Sequence, residues 1–382
     1  MARSKSIEAF RRDPPELEPR IVEAIKEFGP HNVSRLAKSL DAHQETVRYK
    51  LKMQFKTLGF HIHADVDYQR LGLRLHWATI RFSKANLRWA TRILGVLNEV
   101  GYLTYYAKII PQGHYVALFA IPAGTTGDYR EFLAHLQDLG IIENFQFEEA
   151  LVSRHNSMNP RYFNFRSGSW EVDWTKVRLD EARPLKLPHR AGTGKVDMCD
   201  LLIVKEFQKD AMQHLAEIAR KVKISPKTLE YHYRSHVQGR LIPGYNVRWM
   251  RDLERTLAHS VLLTRLTASG LGRQEFASLQ GAVSKIPFLW AEDLLKDGTY
   301  IATVLMPVQD AVATFAYLNN EVPNLDAKVS IGFIKIPDAY LYTIPYNMFD
   351  EKRKKWSFAL RDLISDFDRA GRRAKKQEAS TL

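Results

Sequence analysis

The chain has 382 residues and an ordinary globular composition, 45% hydrophobic, 11% aromatic and 26% charged, which excludes a wholly disordered or collagen-like polymer. Its formal net charge of +13 favours a polyanionic partner, nucleic acid first and an acidic membrane surface second. The single cysteine, Cys199, excludes an intrachain disulfide and a cysteine-based zinc cluster.

No window nears the roughly 18 consecutive apolar residues of a membrane span. The segment MARSKSIEAFRRDPPELEPR lacks the apolar core of a secretory signal, so a cytoplasmic protein of two to four domains with no membrane partner is expected.

Residues 1–66 predict a winged helix-turn-helix. Ile21, Val22, Ile25 and Phe28 form one apolar stripe, Gly29-Pro30 ends the first helix, and Asn32 caps a second that buries Val33, Leu36, Ala37 and Leu40. A turn around Asp41-Ala42-His43 opens a third helix over 44–58, with Val47, Leu51, Phe55 and Leu58 inward, and the extended piece after it predicts a wing. Residues 67–174 alternate as βαββαβ, with strands over 74–83, 102–110, 114–122 and 144–152 and helices over 85–101 and 128–140, the ferredoxin-like order. The Pro-, Gly- and charge-rich stretch 175–196 predicts a linker.

The pattern then repeats. A shift of 182 places Ile21 on Ile203, Leu36 on Ile218, Ala37 on Ala219, Thr46 on Thr228 and Tyr49 on Tyr231, so 197–250 predicts a second winged helix-turn-helix. Ser225-Pro226 supplies its cap and first helical residue. Residues 251–345 predict a second βαββαβ domain. Residues 346–382 predict an amphipathic helix and then a disordered basic tail, RAGRRAKKQEASTL. The expected fold class is α+β: two winged helix-turn-helix and two ferredoxin-like domains arranged as a tandem duplication.

This arrangement resembles the Lrp/AsnC family of prokaryotic transcription regulators. The resemblance is carried by IVEAIKEFGPHNVSRLAKSLDAHQETVRYKLKMQFKTLGF, by LGLRLHWATIRFS and by IIPQGHYVALFAIPAGTTGDYREFLAHLQDLGIIENFQFEEALV. Gly113, Tyr129, Phe132 and Leu133 fit the family's glycine turn and Tyr-x-x-Phe-Leu helix, and the second half keeps Gly298 and Phe315. The resemblance implies a DNA-binding transcription regulator whose ferredoxin-like (RAM-type) sheets associate within the chain or as a homodimer. It also implies an amino-acid-like effector bound near the turns at Gly113 and Gly298. From the residues alone, the favoured reading of these glycines is that they only permit tight hairpins with positive φ.

Double-stranded DNA is the expected main partner. Gln44, Glu45, Arg48, Tyr49 and Lys52 project from the first third helix, Gln and Arg being suited to adenine and guanine edges, while Thr46, Lys50 and Lys56 suit phosphates. Lys227, Thr228, Glu230, Tyr231, His232, Arg234 and His236 form the second face. An architectural DNA-binding or assembly protein without strong sequence specificity is the alternative, and a merely solvated charged face the bland one.

Motifs for chemistry are weak. Gly192-Thr193-Gly194-Lys195 lacks the first glycine of a phosphate loop, at His189, and its Ser/Thr, at Val196. Gly270-Leu271-Gly272 has Glu275 in place of a third glycine. His232 and His236 lie one turn apart with no third ligand nearby in sequence, and His61 and His63 alternate on the wing. Cys199 has no adjacent base. Trp77, Trp89, Tyr102, Tyr105 and Tyr106 read as core. No enzyme activity, cofactor or metal is expected.

Overall fold

The three-helix segments form because their apolar positions share one stripe. In the computed structural model, which describes residues 17–187, 192, 194–249 and 261–379, with side chains as far as 369, α1 (Leu17–Phe28) buries Leu17, Ile21, Val22 and Ile25. The Asn32 side chain accepts from Arg35 N at 2.9 Å and starts α2 (Val33–Leu40). Next, α3 (Gln44–Tyr49) continues through a π-helical turn, Lys50–Gln54, into Phe55–Leu58. There Gly59, at φ 81°, supplies the left-handed residue that ends it.

A short strand β1 (Phe60–Ala64) follows, then β2 (Leu73–Phe82), α4 (Ala90–Val100), β3 (Leu103–Ile110), β4 (Tyr115–Pro122), α5 (Thr126–Asp138) and β5 (Ile142–His155). The pair β6 (Phe163–Asn164) and β7 (Ser169–Trp170) and the helix α6 (Trp174–Leu179) lead to the second half. That half holds α7 (Met198–Lys209), α8 (Leu215–Val222), α9 (Pro226–His232, extended by the π turn Tyr233–Val237), β8 (Tyr245–Trp249) and β9 (Val261–Ala268). It continues with α10 (Arg273–Val283), β10 (Leu289–Leu295), β11 (Tyr300–Pro307), α11 (Ala311–Glu321), α12 (Leu325–Lys328) and β12 (Val329–Leu341). The pair β13 (Phe349–Asp350) and β14 (Lys355–Trp356) and the helix α13 (Leu360–Ala379) complete the described chain.

Two separate ferredoxin-like sheets are not what forms. All eight long strands close into one barrel in the order β10-β11-β9-β12-β3-β4-β2-β5. The outer strands of one half pair with those of the other: Ile110 lies opposite Phe333 and Tyr106 opposite Tyr340, while Ser153 lies opposite Asp293. An open four-stranded sheet would leave two unpaired edges, and mutual closure removes them. The wings are not free either. They pair with each other, Phe60 opposite Trp249 and His61 opposite Arg248.

Two apolar layers result. One lies between barrel and helices and includes Tyr102, Phe119, Tyr129 and Phe132; the other fills part of the lumen with Ala107, Ile109, Val116, Leu263 and Ile301. The stretch read as a linker docks in part, since Arg183 donates to the Ser284 carbonyl at 2.5 Å. The tail read as disordered continues α13 to Ala379, in keeping with the helix propensity of its Ala, Arg, Lys, Gln and Glu. Among the described residues no helix is long and apolar enough to cross a membrane.

Candidate binding site inside the barrel

One end of the lumen is not filled by apolar side chains. A cavity of about 410 Å³ opens there, lined by Trp77, Thr79, Ile109, Gln112, His114, Gln146, Glu148, Arg265, Thr267, Leu295, Asp297, Thr299 and Gly332 among others. Strands from both halves contribute, and the turns at Gly113 and Gly298 flank it through Gln112, His114, Asp297 and Thr299. Both glycines have positive φ, 75° and 85°. The volume lies within the 300–1,000 Å³ usual for small-molecule pockets.

Charge is unevenly distributed around this space. The Arg265 side chain, 6% exposed, points into the lumen with its guanidinium carbon 4.2 Å from the centre of the Trp77 ring. It makes no hydrogen bond or ion pair to another described residue, and burial lowers its pKa to about 10 despite the opposing pull of Asp293 and Tyr105. Burial pushes the Asp293 carboxyl above the usual range, only partly offset by the Ser153 and Trp77 side chains, His155 and Arg265. Its Oδ1 and the Gln112 Oε1 are sealed from solvent without a hydrogen-bond partner. Burial, with help from Arg265 and Arg81, holds His114 below the ordinary imidazole range. A fixed cation thus faces a carboxyl biased toward neutrality, so an anionic group is favoured beside Arg265, while Glu148 and Asp297 place carboxylates elsewhere on the lining and the orphaned oxygens favour a ligand that donates hydrogen bonds.

Sequence reasoning pointed to the Gly113 and Gly298 turns that flank this cavity, but to neither Arg265 nor Asp293. The available signal was a charge inside each of two apolar runs, Arg265 in VLLTRLTA and Glu292-Asp293 in LWAEDLL. Asp293 turns toward Arg265, whereas Glu292 turns outward. There Glu292 accepts from Arg154 (2.5 Å), Tyr300 (2.7 Å), Gln280 (3.0 Å) and Asn156 (3.2 Å). Trp77, read as core, is a cavity wall. Tyr102 and Tyr106 are buried core, while Trp89 is half-buried beneath Arg88 and Arg92.

The residues expected to read DNA lie elsewhere, on α3 and α9. Three of their cations pair within the protein: Arg48 with Glu45, Arg234 with Glu230 at 2.6 Å, and Lys50 with Glu18 at 2.8 Å. Thr46 is buried, and His232 and His236 turn inward to Asp200. Gln44 is half-buried, while Tyr49, Lys52, Lys56, Lys227, Thr228 and Tyr231 remain at the surface. Cys199 is half-buried, its thiol pushed up to about 12 by burial and by Asp197, Asp200 and Glu351. His63 is half-buried, with its Nε2 sealed from solvent, and lowered to about 3, chiefly by desolvation of the ring. The Gly192–Lys195 string lies partly outside the described residues, although Gly194 N donates to the Arg70 carbonyl at 2.9 Å.

No family model and no curated protein sequence matches the chain. Among solved structures it is similar to the siroheme decarboxylase NirDL, at 11% identity over 92% of this chain and 99% of that one, with a TM-score of 0.52. The same enzyme in co-complex with an iron-uroporphyrin III analogue gives 10% identity, 91% and 99% coverage and a TM-score of 0.53. The full-length likeness is to an enzyme. E. coli AsnC matches over only 37% of this chain, at 16% identity and a TM-score of 0.28.

These findings overturn the expected Lrp/AsnC membership. They equally overturn the DNA-binding transcription regulator, its architectural alternative, the double-stranded DNA partner and the amino-acid-like effector. On the helices themselves, the wings pair with each other, Arg48 and Arg234 each share their charge with a glutamate of the same helix, and His232 and His236 turn inward. At this level of identity the likeness concerns the fold.

Proposed function

We propose that the barrel cavity binds a carboxylated tetrapyrrole and that the chain removes a carboxyl group from it as CO₂. The observation that carries this reading is Arg265, a buried guanidinium on the cavity wall with no carboxylate of the described protein paired to it. Retaining such a charge is costly unless a ligand completes it. The ligand class comes from the full-length fold neighbours, which act on siroheme and bind an iron-uroporphyrin III analogue.

In this reading Arg265 takes one ligand carboxylate in a forked hydrogen bond and so orients the ring edge. A neighbouring acid side chain breaks its carbon–carboxyl bond, releasing CO₂ and leaving the electron pair on carbon. Asp293, inside the barrel near Arg265 and raised above the usual carboxyl range by burial, delivers the proton that replaces the carboxyl and takes one up again once the product has left. The test is absorption titration with iron uroporphyrin III and mass spectrometry of the product. Binding lost in R265A, with product lighter by CO₂ in the wild type and not in D293N, supports the reading. Wild-type protein that leaves the spectrum unchanged would refute it.

Binding without turnover is the second reading, in which the chain is not an enzyme. It draws support from the lack of any hydrogen-bonded acid–base pair between cavity side chains among the described residues, and unaltered ligand after tight binding would favour it.

A further inference from the structure

Asp197, Asp200, His232 and His236 converge at the start of α7 and the end of α9, well separated in sequence from the strands that line the cavity. One donor atom from each lies within 4.8 Å of all the others. His232 Nδ1 is 2.8 Å from Asp200 Oδ1 and 3.6 Å from Asp197 Oδ1, and His236 Nδ1 is 3.2 Å from Asp200 Oδ1. Zinc ligands at about 2.0–2.2 Å in a tetrahedron stand about 3.3–3.6 Å apart, so these separations bracket the edge of such a site.

We propose that these four side chains bind one divalent transition-metal ion, with zinc(II) the best fit. The donor set, two imidazole nitrogens and two carboxylate oxygens, matches the borderline character of that ion. The two carboxylates are already oriented by the backbone. Asp197 Oδ1 accepts from Asp200 N at 3.1 Å, and Asp200 Oδ2 accepts from Asp197 N at 3.2 Å, a reciprocal cap that holds both in place as outer contacts of metal ligands do. Asp200 is 1% exposed, so its charge sits where a dication would neutralise it. His232 and His236 come from a separate helix and its π turn, so the ion would clamp α9 onto α7. The pair one helical turn apart was visible in sequence. Its missing ligands were not, because they arrive from 32 or more residues upstream through the fold.

Full-length protein, stripped with a chelator and desalted, is titrated with Zn²⁺ against a chromophoric competitor, and with Co²⁺ followed by visible absorption. The expected result is one ion per chain, a Co²⁺ spectrum of four-coordinate intensity and a Tm raised by several degrees. H236Q, whose side chain is a third exposed in the wild type, weakens zinc binding about a hundredfold and loses the Tm rise, and H236D, which restores a ligand, recovers part of both. H232Q behaves as H236Q does; should it fail to fold, H236Q and H236D decide alone. Wild-type protein that takes up no zinc, or H236Q that binds as tightly with the same Tm rise, overturns the proposal. In that case the cluster is a hydrogen-bonded cap only.

Discussion

Arg265 and Trp77 face each other at matching positions of the two halves. Trp77 lies opposite Leu118 and Arg265 opposite Thr303, five residues beyond Gly113 and Gly298 respectively, and the guanidinium carbon stands 4.2 Å from the indole centre. A desolvated cation–π contact of this kind contributes about 2 kcal/mol, less than isolating a guanidinium from water costs.

From this imbalance follows a separation of stability from binding. R265M keeps the volume of the side chain and removes the buried charge, so it should raise resistance to denaturant by about 1–3 kcal/mol while abolishing binding of a carboxylated ligand. Urea midpoints beside a ligand titration measure both. A variant that loses stability and keeps binding would remove Arg265 from the site.

Glu292 predicts the opposite behaviour. Its carboxylate accepts from Arg154, Asn156, Gln280 and Tyr300, and E292A leaves the arginine and the tyrosine hydroxyl without their acceptor. The expected loss is about 3–5 kcal/mol by chemical denaturation, with Y300F costing about 1–3 kcal/mol.

Acid should destabilise the protein through its buried imidazoles. His76 stacks on Phe147 at 4.8 Å, and burial lowers its pKa to about 4; His31 is lowered to about 4 and His63 to about 3, again chiefly by burial. Above the unfolded value of 6.5 both states are neutral and no stability is lost. Below it the unfolded chain takes up protons that the folded chain refuses until about pH 4, so each such histidine costs about 1.4 kcal/mol per pH unit in that window. Substituting H76Q should flatten the acid limb between pH 6.5 and 4 by about one proton's worth of slope, measured as urea midpoints against pH.

The seam between β12 and β3 should be intolerant of added volume. A Cβ on Gly332 would stand 2.4 Å from Ile109 Cγ2, so G332A should cost about 1–3 kcal/mol. Trimming the neighbour in the I109A background should recover part of that loss, and denaturation of the four proteins in the cycle gives the coupling directly.

Local elements were readable because local chemistry sets them. Ser225 caps α9 by accepting from Thr228 N at 3.1 Å, with Pro226 first in the helix, and Asn32 caps α2. Closure was not readable. It depends on contacts such as Arg154 with Glu292, 138 residues apart, and no local pattern states which edge will meet which. The lumen defeated the usual reading of strands for the same reason. Alternation assigns polar side chains to solvent, but in a closed barrel the inner face is a second interior, and Arg265 and Asp293 belong to it.

Joining both halves in one polypeptide has a consequence for what the lumen can hold. Two identical half-length chains related by a two-fold axis would have to set arginine against arginine or indole against indole at this position. A continuous chain escapes that rule, so cation and aromatic ring can be allotted one to each side. A ligand entering the barrel therefore meets two different walls and has a single preferred way round.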